Sequence, residues 1–142
     1  MPSTPSLGVP FMDRDHAALD VLFDAVATAA DSGLSALLYT ISEEIREHFA
    51  REEAGMTEAG VPNLLRHLEL HAQLLREVEN MRREIEESDP DTARRLIGTL
   101  LPQLLADHAA TADAASARFL ASGNASPSSL EPHVVRFGRA RA

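Results

Sequence analysis

A chain of 142 residues with a formal charge of −9 and no cysteine or tryptophan is long enough for one compact core and too short for two cores with separate functions. The acidic balance, with no basic stripe interleaved by aromatics, excludes nucleic acid as a partner, and the missing cysteines exclude disulfides, zinc fingers, thiolate chemistry and cysteine-held iron–sulfur clusters. The first residues lack a basic, then apolar, leader pattern, and no stretch approaches the roughly 20 apolar residues of a membrane span, so a cytoplasmic protein without a membrane partner is expected.

Abundant Ala and Leu favour helix. Pro2, Pro5, Gly8 and Pro10 make residues 1–12 an irregular arm, with Asp13 as the N-cap of a first helix. His16, Leu19, Phe23, Val26 and Ala30 then recur at three- and four-residue steps until Ser32 and Gly33 stop the pattern. A second stripe runs through Leu34, Leu38, Ile41, Ile45, His48, Glu52 and Met56, and Gly60 and Pro62 mark the following turn. Tyr39 and Met56 read as core beside it.

Leu64, His67, Leu68, His71, Leu74, Leu75, Val78, Met81 and Ile85 form the third stripe. Asp89 and Pro90 open a fourth, continued by Leu96, Ile97, Leu100, Leu101, Leu104, Leu105, His108, Ala112 and Phe119. Pro102 interrupts it, which predicts a kink or a fresh helix start. Residues 122–142, with Gly123, Pro127 and three arginines, read as a flexible tail, and His133 within it as a solvated residue. The pattern predicts an all-α protein of four helical stretches between the irregular arm and the tail.

Five histidines and two carboxylates lie on these inward stripes: His16, His48, Glu52, His67, His71, His108 and Asp113. The pairs His48 with Glu52 and His67 with His71 are four apart, hence one helical turn apart on a single face. Burying so many polar groups without compensation costs several kcal/mol apiece, and metal coordination removes that cost. One zinc takes about four ligands, so seven convergent ligands point to two metals sharing carboxylates, with carboxylate-bridged di-iron as the natural reading. A ferritin-like oxidase would need Glu-x-x-His pairs, but the positions three before His48, His67, His71 and His108 hold Ile45, Leu64, Leu68 and Leu105. A site rich in nitrogen neutralises less metal charge, which favours binding dioxygen over cleaving it. The five-residue step from His108 to Asp113 falls about 140° off face in a regular helix, which predicts a widened turn there.

The segment HFAREEAGMTEAGVPNLLRHLELH at 48–71, DRDH at 13–16 and HAATAD at 108–113 resemble the motifs of the hemerythrin family, in particular its single-domain bacterial members with the HHE domain. The resemblance covers residues 13 to about 121 and departs at Val61 and Leu104, where the family usually has aromatic residues. It implies an up-and-down four-helix bundle as the domain over 13–121, with two iron ions and an oxo or hydroxo bridge. His67, His71 and His108 would saturate one iron, His16 and His48 would hold the other, and Glu52 and Asp113 would bridge them. The function implied is reversible dioxygen binding by a carrier, store, scavenger or sensor and not by an enzyme. The alternative is a di-iron redox enzyme, such as a peroxide or nitric-oxide reductase, on the same site. The oligomeric state stays open, a monomer included.

Overall fold

The computed structural model describes residues 4–122; residues 1–3 and 123–142, including His133 and nearly all of the expected tail, lie outside the described residues. The described residues form helices α1 (Pro10–Ala25), α2 (Leu34–Ala59) and α3 (Leu64–Ile85), then a long fourth helix, α4, over 90–122. No strand occurs among them, and the expected all-α bundle is observed.

Helix α1 starts earlier than the sequence suggests. Pro10 occupies its first turn, where a fixed φ suits the helix and no N–H is missed, and Phe11 and Met12 are fully buried. Asp13 is therefore not the N-cap but sits inside the first turn, where its carboxylate accepts from the backbone N–H of Leu7 at 2.7 Å and of Gly8 at 3.1 Å. The helix also ends at Ala25, short of Ser32. Val26 turns its N–H back to Phe23, Arg94 of α4 takes the Val26 carbonyl at 2.7 Å, and a short 3₁₀ turn at Asp31–Gly33 leads into α2.

Helix α2 closes on Gly60 in the left-handed region (φ 65°), with Val61 N–H reaching the Met56 carbonyl and Gly60 N–H that of Thr57, the two bonds of a Schellman closure. Asn63 (φ 61°) makes a second left-handed residue before α3, so α2 and α3 are antiparallel across a four-residue reversal.

The α-helical segments Pro90–Arg95, Leu101–His108 and Ala114–Ser122 of α4 are joined by π-turns at Leu96–Leu100 and Ala109–Asp113, and right-handed dihedrals persist through Leu100, Leu101, Ala109 and Ala114. Asp89 caps its start by accepting from Thr92 N–H at 2.7 Å, as expected. At Pro102 the right-handed backbone does not break, but a fresh α-helical segment starts at Leu101 with Pro102 in its first turn, as expected. The preceding π-turn sends Leu101 N–H to the Leu96 carbonyl, so the widening absorbs the strain a proline imposes on the turn before it. Each extra residue also shifts the core face by one position. Leu100 and Phe119, expected inside, are 47% and 41% exposed, while Leu101 and Leu120 are buried. Gly98 permits a close approach of α4 to the end of α1, since a Cβ there would lie 3.1 Å from Val26 Cγ1.

Two apolar clusters result. The larger joins Phe23, Leu38, Ile41, Val78, Ile97 and Leu101, among others, and the smaller joins Phe11, Met12, Met56, Val61 and Leu120. Met56 is core as expected; Tyr39, one residue off the α2 stripe, is half exposed under the Arg82 guanidinium, 5.5 Å from the ring centre. Because space around Gly60 is open, Gly60→Ala tests backbone strain alone. It should lower unfolding free energy by about 1 kcal/mol in chemical denaturation, with Asn63→Gly neutral or stabilising.

Candidate metal centre

The two apolar clusters leave a polar layer between them, and all seven sequence-expected residues meet there. His16, His48, Glu52, His67, His71, His108 and Asp113 are each buried although they come from four helices. Their ligand atoms form two groups, one of Glu52, His67, His71, His108 and Asp113, the other of His16, His48, Glu52 and Asp113, with the atoms of each within 4.8 Å of one another.

The two carboxylates belong to both groups and divide their oxygens between them. Glu52 turns Oε1 toward His71 Nε2 (3.1 Å) and His67 Nε2 (3.6 Å), and Oε2 toward His48 Nε2 (2.7 Å) and His16 Nε2 (3.9 Å). Asp113 likewise turns Oδ1 toward His108 Nε2 (2.9 Å) and His67 Nε2 (3.0 Å), and Oδ2 toward His16 Nε2 (3.5 Å). The π-turn at Ala109–Asp113 makes this possible, bringing residues five apart onto one face where a regular turn would separate them. It lies where the spacing predicted a widened turn.

Several of these atoms are close without being hydrogen-bonded. Both Glu52 oxygens, His71 Nε2, His108 Nε2 and His16 Nδ1 are buried with no hydrogen-bond partner, even though carboxylate and imidazole atoms lie 2.7–3.1 Å apart across the site. The proximity is real but the N–H directions do not serve it; except for His16 Nδ1, these are atoms aimed at a shared point and not at one another. Orphaned buried donors and acceptors of this kind are rare unless an ion completes them. Two cations with nitrogen and carboxylate ligands fit this donor set.

Electrostatics tie the layer together. Burial disfavours a charged His48, yet Glu52, the Asp15 hydrogen bond and Asp113 outweigh it and raise its pKa to about 10. His67 rises to about 9 against the same burial penalty, through Asp113 and Glu52, and His71 also rises. Burial pushes Asp113 up, as does the Glu52 charge, but the imidazoles of His108, His16 and His67 close to its oxygens bring it down to about 2. Glu52 too is held well below the usual range, its burial outweighed by His48, His67 and His71.

Around the seven residues stands a set that sequence reasoning missed. His48 donates Nδ1–H to Asp15 Oδ2 at 3.0 Å, and Arg51 Nε donates to the same oxygen at 2.9 Å. His67 Nδ1 pairs with Ser116 Oγ at 3.0 Å, and His71 Nδ1 with Glu53 Oε2 at 2.7 Å. Phe49 lies flat on His71, ring centres 3.8 Å apart and planes 1° from parallel. Adjacency to a ligand was the available signal, since Asp15, Phe49 and Glu53 each neighbour His16, His48 or Glu52 in sequence.

The sequence matches the Hemerythrin HHE cation binding domain family over residues 7–115. The chain belongs to the hemerythrin family. It is 33% identical over 115 residues to the Bacteriohemerythrin of Ralstonia nicotianae, a match covering 81% of this chain and 83% of that protein. No solved structure matches it significantly. The buried layer of histidines and carboxylates fits the cation-binding description of that family, and no helix among the described residues is long and apolar enough to cross a membrane.

The raised histidines stabilise protein prepared free of metal below their unfolded pKa of 6.5, and that stability is lost as pH rises through about 9 and then about 10. The depressed carboxylates contribute above their ordinary range and lose it on acidification. Metal-free protein should therefore show its highest melting temperature between the ordinary carboxylate range and pH 6.5, and a progressive decline from there through about pH 10. His71→Ala removes contacts to Glu52, Glu53 and Phe49 at once, and should lower both bound metal, by tenfold or more, and melting temperature. Metal analysis and calorimetry on one sample check both.

Proposed function

We propose that the seven residues hold two iron ions joined by an oxo or hydroxo bridge, and that the protein binds dioxygen reversibly. His67, His71 and His108 serve one iron and His16 and His48 the other, with Glu52 and Asp113 bridging. The carrying observation is the three-to-two division of histidines about two shared carboxylates, which leaves one fewer protein ligand on the His16–His48 side. A bridged pair of ferrous ions supplies the two electrons that reversible dioxygen binding draws on.

The surroundings support a small ligand. A cavity of about 10 Å³ touches His16, His48, His108 and Asp113, and its walls include Leu19, Phe23, Phe49 and Leu105. That volume accommodates a ligand of one or two atoms and no organic substrate. The apolar walls keep bulk water from the open side, which slows irreversible oxidation and side reactions. Nitric oxide and peroxide, each of two heavy atoms, fall within the same limit. The reading places the protein in the cytoplasm, in keeping with its cysteine-free composition.

Anaerobically reduced, iron-loaded protein should be nearly colourless, hold two irons per chain, gain a visible band on exposure to oxygen and lose it when oxygen is withdrawn. Azide should compete for one site per chain. Immediate irreversible oxidation, or continuous oxygen consumption with reductant, would replace the carrier reading with that of a redox enzyme.

A further inference from the structure

The three hydrogen-bonded Nδ1 partners differ in charge. Asp15, behind His48, is matched by the Arg51 guanidinium, and Ser116, behind His67, is neutral. Glu53, behind His71, is an anion that no arginine approaches within ion-pair distance among the described residues. Its bond to His71 is the shortest of the three at 2.7 Å, and Phe49 stacked on the imidazole fixes the ring so that rotation cannot break it.

We propose that Glu53 is a positioning residue that acts through His71 to make the three-histidine iron the more electron-rich of the two and to lower the reduction potential of the centre. The proposal rests on the di-iron reading. A carboxylate accepting the Nδ1 proton makes Nε2 a stronger donor, and a negative charge one imidazole away favours the more highly charged metal. Asp15 lacks this effect because Arg51 offsets its charge, and Ser116 because it has none. The two irons are thereby made unequal by their outer partners as well as by histidine number. Glu53 itself is only partly buried, with 37% of its side chain exposed, so replacing it does not open the core.

The test uses the full iron-loaded chain and reads iron content, midpoint potential and Mössbauer spectrum. Glu53→Gln keeps an oxygen to accept the Nδ1 proton but removes the charge. It should retain two irons, raise the potential and displace one of the two ferric doublets while leaving the other in place. Glu53→Ala should in addition lose iron at least tenfold more readily, and Glu53→Asp should restore much of the wild-type potential. Ser116→Ala, acting on the same iron through a neutral partner, should move the potential less. An unchanged potential in Glu53→Gln, an equal shift in Ser116→Ala, or displacement of both doublets alike would overturn the proposal. Wild-type protein without two irons would overturn the di-iron reading itself, and the role of Glu53 with it.

Discussion

The constraint on which this structure depends is the burial of five imidazoles and two carboxylates in a layer between two apolar clusters. Helices from all parts of the chain end up where their polar residues must coincide, and a small error in any helix's rotation would leave a charged group against aliphatic side chains. Such a mismatch costs several kcal/mol per group, comparable to the whole stability of a domain this size. Helix register is therefore set by the polar layer as much as by the apolar clusters on either side of it.

Compensation within the layer has two levels. Glu52 and Asp113 offset the imidazoles directly, each sharing its oxygens between the two groups. Asp15, Glu53 and Ser116 then hold the far sides of three rings, and that decides which nitrogen of each faces inward. Phe49 belongs to both worlds, closing the larger apolar cluster while lying on the His71 ring.

The inward stripes and the i, i+4 pairs were legible because each falls on one face of a regular helix, and Glu52 or His71 needs no tertiary knowledge to be placed there. Helix ends were less so. Apolar burial of Phe11 and Met12 carried α1 back to Pro10, and nothing local to Val26 announces that Arg94, far along the chain, takes its carbonyl. Leu100 and Phe119 were misplaced because strict three- and four-residue counting has no place for a turn with an extra residue. Of the two π-turns, the one before Asp113 was foreseeable, since a functional residue stood at an impossible angle; the one before Pro102 carried no such marker. The carboxylates behind the histidines remained hidden because an exposed-looking acid next to a ligand is common in any sequence this acidic.

The second π-turn also loosens a link that most helices enforce. In a regular helix, adding one residue rotates everything downstream by about 100°. Here the extra residue is held in a bulge, so Ala117 and Leu120 beyond it still reach the apolar cluster at the bundle end. Spacing between His108 and Asp113 is thus independent of how the rest of α4 packs. The helix can exchange a five-residue step for a four-residue one by a single deletion, taking the bulge out without disturbing either flank. Variation in ligand spacing becomes accessible in one evolutionary event, at a position where the fold itself would not register the change.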